Sequence, residues 1–291
     1  MIQYQRSVRH TVALSGIGLH SGQNINMKIS PAPEDHGIVF RRSDCEPPVS
    51  IPARLSYVGD TRLCTTLEHH GVRVGTVEHL LSALQGLGVD NALIDLNGPE
   101  VPIMDGSAAP FVFMLRVAGI YQQRKTRSVV IVHETIEVTD DSGEKYCRLL
   151  PYSGKGQLAL TMILKYSHPS IQGDNSRKKI CLGQDSYERE VSRARTFGFV
   201  QEIDYLRSNG LARGASLQNA VGLDDHSVVN PEGLRFDDEL VTHKLLDAIG
   251  DLSLLGSSLQ AQFEGFCSGH TLNKHLLDML LRYPERWSYA N

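Results

Sequence analysis

The stretch Glu239-Leu-Val-Thr-His243-Lys244-Leu-Leu-Asp247-Ala-Ile-Gly-Asp251-Leu-Ser-Leu-Leu255 organises the rest of the chain. At about 100° per residue, Val241, Leu245, Ala248, Ile249 and Leu252 share one stripe of a long helix, and His243, Asp247 and Asp251 fall together on the opposite side. Leu240, Leu246 and Leu254 flank that polar face, so the helix is apolar almost all round and belongs in an interior. A His and two Asp at successive i, i+4 steps need partners there, because an unpaired polar or charged group in a core is costly. From this helix alone two readings stay open. One is a His–Asp pair satisfied inside the core; the other is His-x-x-x-Asp as two ligands of a divalent metal, which demands a third ligand from elsewhere.

With 291 residues, 41% of them hydrophobic, the chain is long enough for about two domains, each with its own core. A net charge of −4 and the lack of a basic block or arm oppose nucleic-acid binding. No run of about eighteen apolar residues occurs, and the first residues lack a charged-then-apolar signal pattern, so no membrane span is expected. Cys45, Cys64, Cys147, Cys181 and Cys267 lie far apart, with no C-x-x-C pair. That spacing predicts neither a disulfide framework nor a thiolate zinc site, and it points to the reducing cytoplasm.

Residues 8–14 and 24–30 alternate apolar and polar side chains around Gly16-Ile-Gly-Leu-His20-Ser-Gly22, which predicts two strands with His20 in the turn. Residues 37–42 predict another strand. From 76 to 88 the period changes, and Thr76 as N-cap, Glu78 in the first turn and Gly88 at the end predict a helix. A strand over 91–97 and a helix opened by Ser107 follow. The polar Arg124-Lys-Thr-Arg-Ser128 marks a boundary, giving an N-terminal α+β domain over 1–123 and a C-terminal one over 128–291. In the second, strands are expected at 129–138 and 157–166 and helices at 185–195 and near 202–208. Then come the long helix, a strand at 259–266 and a last helix that stops before Pro284. Both halves run from strands to helix, strand and helix, and His79-Leu-Leu-Ser-Ala-Leu84 faintly resembles Lys244-Leu-Leu-Asp-Ala-Ile249. A duplicated α+β unit is the expected architecture.

Glu78 and His79 are neighbours, so on a helix their side chains diverge by about 100°. His79 can therefore bind a metal while Glu78 serves as a base beside it without being a ligand. His79, His243 and Asp247 would supply two imidazoles and one carboxylate and leave one position open, the ligand set of a catalytic zinc site. The same set holds non-haem Fe(II), so an oxygenase stays open on ligand chemistry alone. The adjacent carboxylate favours hydrolysis, since amide hydrolysis needs a base at the metal and oxygenation does not.

Six motifs occur in order: Thr76-Val-Glu78-His79-Leu80, Pro99-Glu-Val-Pro-Ile-Met-Asp-Gly-Ser-Ala-Ala-Pro-Phe111, Ser192-Arg-Ala-Arg-Thr196-Phe-Gly-Phe199, Gly233-Leu-Arg-Phe236, the His243–Asp251 segment and Ser268-Gly-His270. Together, over essentially the whole chain, they resemble the UDP-3-O-acyl-N-acetylglucosamine deacetylases of lipid A biosynthesis. The resemblance implies a cytoplasmic zinc amidase, with Fe(II) as the other candidate metal in the cell. Its substrate would be UDP-3-O-((R)-3-hydroxyacyl)-N-acetylglucosamine, from which it would remove acetate in the committed step of lipid A formation. The family's fold is two α+β domains whose helices are sandwiched between their sheets, with the active site between the domains; a monomer is expected.

By the same resemblance, His79, His243 and Asp247 are the metal ligands, Glu78 the general base and His270 the general acid. Asp251 would orient His270, and the Thr196 hydroxyl would stand beside the oxyanion. Lys244 would face the substrate phosphates, Lys145 and Tyr166 the UDP portion, and His20 the edge of the site. Residues 199–216, with Val200, Ile203, Leu211, Ala212 and Ala215, resemble the family's acyl-chain passage. Two rival classes are a non-catalytic UDP-sugar binding protein, opposed by the complete set of catalytic side chains, and an RNA-binding module, opposed by the acidic balance.

Overall fold

In the computed structural model, which describes residues 3–154 and 157–290, the predicted hairpin around His20 opens a five-stranded sheet. Its order is Val12–Ile17, Asn24–Pro31, Ala92–Leu96, Ile38–Arg42 and Val49–Pro52. Along Asn24–Pro31, Ile25, Met27 and Ile29 point into the core while their neighbours face solvent, the period-two pattern of a sheet with one wet face. The first strand starts at Val12, later than its alternation predicted. Arg9, His10 and Thr11 are exposed and break the run, and Tyr4–Val8 pairs elsewhere, antiparallel to Ile120–Thr126.

Helix α1 (Glu78–Leu87) follows the expected span, but Thr76 does not cap it. Thr76 has φ +55° and its hydroxyl donates to Glu100 Oε1 at 2.8 Å, and no side chain caps the helix. Gly88 ends α1 at φ +69°, with its N–H turned back to the Gln85 and Leu84 carbonyls, a conformation glycine takes without the Cβ penalty. Helix α2 (Ala109–Ala118) is opened by Ser107, whose Oγ accepts the Ala109 N–H at 3.2 Å.

The second sheet is centred on Ser258–Phe266. One edge of that strand carries Leu158–Ile163 in parallel; the other is shared by Val129–Val132 and Tyr146–Leu150. Ile136–Thr139, Arg177–Cys181 and Trp287–Tyr289 fill the outer positions. The single strand expected over 129–138 is thus two. The chain leaves the ladder at His133 and Glu134, whose N–H groups bond the Arg286 carbonyl, and re-enters beside Tyr146–Leu150. All strands of the first sheet precede residue 97 and all strands of the second follow residue 128.

Helix α3 (Gln184–Glu190) is shorter than the 185–195 expected. The Ser192 hydroxyl donates to the Glu188 carbonyl at 2.8 Å, and residues 193–196 then run on without helix. After α4 (Ile203–Ser208) come α5 (Glu239–Leu252), ending in a 3₁₀ turn over Ser253–Leu255, and α6 (His270–Arg282). Helix α5 lies along α1 on one side and against Leu158–Ile163 and α6 on others, which explains an apolar surface nearly all round. Leu80 and Leu84 of α1 and Leu245 and Ile249 of α5 are almost fully buried in one cluster that joins both sheets. Each such side chain contributes roughly 1.5–3 kcal/mol by leaving water. At Gly250 the two helices touch backbone to backbone: a Cβ there would stand 2.1 Å from the Glu78 carbonyl oxygen. The fold is α+β, and none of its described helices is long and apolar enough to cross a membrane.

Candidate metal centre

The close approach at Gly250 sets the first turn of α1 against the middle of α5. His79 Nε2 and His243 Nε2 lie 3.5 and 3.3 Å from the same atom, Asp247 Oδ1, and all three residues are buried. Four ligand atoms arranged tetrahedrally at zinc distances are separated by about 3.3 Å. The triad therefore fits a single ion. Two further observations support the fit. Asp247 Oδ1 is buried with no hydrogen-bond partner among the described residues, and a carboxylate oxygen left bare in a core calls for a cation. His243 Nδ1–H donates to the Ala194 carbonyl at 3.0 Å, which leaves the Nε2 lone pair facing the centre.

Charge states agree with that role. Burial, against the pull of Asp247, pushes the His243 imidazole down to about 3, so the ring offers a lone pair at neutral pH. Burial opposes ionisation of Asp247, but His243 and Lys244 outweigh it and hold the carboxyl well below the usual range. Lys244 Nζ donates to Asp247 Oδ2 at 2.9 Å and lies 5.5 Å from the centre of the Phe197 ring. It therefore contacts the triad carboxylate, its i+3 neighbour on α5.

Beside the triad, Glu78 Oε1 stands 4.0 Å from His270 Nε2. Burial raises the Glu78 carboxyl above its ordinary value, while His270 and His79 oppose the shift. For His270, burial alone would lower the pKa, but the Asp251 carboxylate, 2.9 Å from Nδ1, reverses this and raises it to about 9. A carboxyl group with a raised pKa and an imidazole held protonated at neutral pH thus stand beside the triad.

The cleft over this centre, about 520 Å³, is lined by His20, Lys145, Tyr166, Thr196 and Lys244 as well as Glu78, the three triad residues and His270. Residues from both halves of the chain therefore meet there. Asp251 lies behind His270 and is 2% exposed. Val200, Ile203, Ala212 and Ala215 are not part of this lining. Val200 and Ile203 belong to the turn and start of α4, and Ala212, at φ +50°, donates its N–H to His20 Nδ1 at 3.4 Å.

Several contributors escaped sequence reasoning. Thr65 and Asn273 both hydrogen-bond Asp251. Arg195, nearly buried, forms an ion pair with fully buried Glu239 at the start of α5, and so fixes the segment that delivers the Ala194 carbonyl to His243. The Ser-Arg-Ala-Arg motif carried this signal, but its acidic partner lies forty-four residues on.

Comparison with known proteins bears on the whole chain. A protein from Legionella pneumophila (strain Corby) named UDP-3-O-acyl-N-acetylglucosamine deacetylase is 49% identical over 286 residues, covering 98% of this chain and 92% of that protein. One of the same name from Xanthomonas euvesicatoria pv. vesicatoria (strain 85-10) is 46% identical over 287 residues, covering 99% and 93%. The family model for UDP-3-O-acyl N-acetylglycosamine deacetylase matches residues 5–282. With that match across nearly its full length and a His-His-Asp triad able to hold the metal such enzymes depend on, the chain belongs to the UDP-3-O-acyl N-acetylglycosamine deacetylase family.

Proposed function

We propose that this deacetylase of lipid A synthesis uses one zinc ion, held by His79, His243 and Asp247, to cleave the acetamide of its UDP-3-O-acyl-N-acetylglucosamine substrate. The observation that carries the reading is a metal-capable triad that shares one cleft with Glu78 and His270, whose facing atoms stand 4.0 Å apart. When bound, the metal lowers the pKa of water to about 7 and polarises a carbonyl oxygen.

The chain's own groups supply the proton transfers. Glu78 Oε1 takes a proton from water as its oxygen bonds to the acetyl carbon, and the Thr196 hydroxyl donates to the oxygen where negative charge develops. His270 Nε2–H then gives its proton to the nitrogen as the C–N bond breaks, which releases acetate and the free amine. Asp251 accepts from His270 Nδ1–H, holding the ring in the orientation and charge state this donation needs. Lys244, Lys145 and Tyr166 line the cleft on the side assigned to the diphosphate and uracil, and His20 borders it. Val200, Ile203, Ala212 and Ala215 would guide the acyl chain. Residues 1–123 and 128–291 are taken as two domains, a division supported by the separation of the two sheets along the chain. The protein acts as a monomer in the cytoplasm.

The test is to measure metal content and acetate release together, loading the metal-free protein with zinc or, under anaerobic conditions, with Fe(II). Turnover restored by zinc in proportion to occupancy supports the reading; turnover with iron alone would assign the site to iron.

A further inference from the structure

Thr65 is 1% exposed and lies in the loop before the strand Leu67–His69, apart from every motif that marks the active site in the sequence. It is tied to both sides of the proposed acid–base pair. Its backbone N–H donates to Glu78 Oε2 at 3.0 Å, and its hydroxyl donates to Asp251 Oδ1 at 2.6 Å. Its carbonyl accepts the Val77 N–H at 3.3 Å, so the loop is anchored to the start of α1. The other Asp251 oxygen, Oδ2, accepts from His270 Nδ1 at 2.9 Å and from Asn273 Nδ2 at 2.8 Å. The contacts close a ring from Glu78 through Thr65 and Asp251 to His270, and back across the 4.0 Å between His270 Nε2 and Glu78 Oε1.

We propose that Thr65 is a positioning residue for the deacetylation: its hydroxyl locks the Asp251 carboxylate, and through it the His270 ring, in register with Glu78. The inference rests on the assignment of Glu78 and His270 as base and acid. A carboxylate turns easily about its terminal bond, because that torsion is broad. With Oδ2 shared by His270 and Asn273, the only hydrogen bond that pins Oδ1 among the described residues is the one from Thr65. Without it the carboxylate is free to swing, and His270 Nε2 moves with it. Thr65 spans the two parts of the molecule, since Glu78 belongs to α1 while Asp251 and His270 come from α5 and α6. The acid and the base are thereby aligned to each other as well as to the metal.

The experiment compares Thr65→Val, which keeps the shape and removes the hydroxyl, with Thr65→Ser, which keeps the hydroxyl. Bound metal, kcat and KM are measured on the 3-O-acyl substrate. Thr65→Val is expected to lose about tenfold or more in kcat, since misplacement by a fraction of an ångström already costs rate. Its metal content and KM should stay within about twofold of the parent, and Thr65→Ser should stay within about twofold in every parameter. Parent-like kcat in Thr65→Val overturns the proposal, as does a Thr65→Ser variant that is as slow as Thr65→Val. A second comparison guards against a folding defect. On an Asp251→Asn background Thr65→Val should add no further loss, and a full additional loss overturns the proposal. Glu78→Gln and His270→Ala run in the same assay separate the two levels: if these keep parental rates, the acid–base assignment itself has failed.

Discussion

Gly250 and Glu78 meet so closely that the glycine's missing Cβ would fall 2.1 Å from the Glu78 carbonyl oxygen. This contact brings Glu78 and His79 on α1 to His243 and Asp247 on α5, the side chains proposed as base and metal ligands. Gly250→Ala sets two effects against each other. Helix propensity favours alanine by about 1 kcal/mol, whereas overpacking against a backbone atom that cannot rotate away costs about 1–3 kcal/mol or more. The clash wins, so the variant should melt lower and bind metal more weakly. A melting temperature equal to or above the parent would show that the helices separate without penalty.

If His79, His243 and Asp247 are the three protein ligands, substituting Ala for any one of them should lower bound metal and turnover together. Elemental analysis alongside acetate release checks this. A variant that keeps full metal and a near-parental rate identifies a residue that is not a ligand.

The acid–base pair predicts a bell-shaped pH profile of kcat/KM. His270 is raised to about 9, so the protonated form it needs is lost as pH rises through about 9 and sets the basic limb. Burial raises Glu78, so the acidic limb should lie above the ordinary carboxylate value. The stability that the His270–Asp251 pair contributes follows the same sign: complete below the unfolded imidazole value, and lost as pH climbs through about 9. Asp251→Asn should move the basic limb downward. A limb that stays in place would remove Asp251 as its cause.

Arg195 and Glu239 form an ion pair with side chains 4% and 0% exposed. Removing one partner of a buried pair costs about 3–5 kcal/mol when the other is left uncompensated; Arg195 also pairs with the exposed Glu232 at 2.8 Å, which sets the loss toward or below the lower end of that range. Glu239→Ala should therefore lower stability strongly in chemical denaturation and, by releasing the Ala194 carbonyl, weaken metal binding. A stability change under about 1 kcal/mol would count against a dry, paired interior at the start of α5.

If residues 199–216 guide the acyl chain, every methylene they remove from water is worth about 0.8 kcal/mol, roughly fourfold in kcat/KM. A 3-O-acyl substrate should outpace its deacylated analogue by orders of magnitude. Equal rates would remove this segment from substrate recognition.

The long helix was legible because its apolar stripe and its His and Asp at i, i+4 are local properties of one element, and α5 carries them as expected. Local alternation also located Asn24–Pro31 and Ser258–Phe266. What failed was capping and termination. Thr76 has an N-cap's identity and position, yet its hydroxyl is taken by Glu100, twenty-four residues away, a competition no local pattern encodes. The strand pairing of Tyr4–Val8 with Ile120–Thr126 was hidden for the same reason. At the site, the His, Asp and Glu side chains that the fold brings together could be picked out from motifs. Thr65 could not, because its role depends on a fold that carries an unremarkable loop threonine to Asp251.

The distribution of the centre along the chain also governs when it comes into being. His79 is made first, and His243, Asp247 and His270 follow it by 164, 168 and 191 residues. During synthesis the first half can fold around α1 while its histidine has nothing to share a metal with. On the proposed assignment the site is assembled only when α5 packs against α1 and α6 against α5. A chain that stops before His270 would carry the three triad side chains but not the imidazole proposed as the acid.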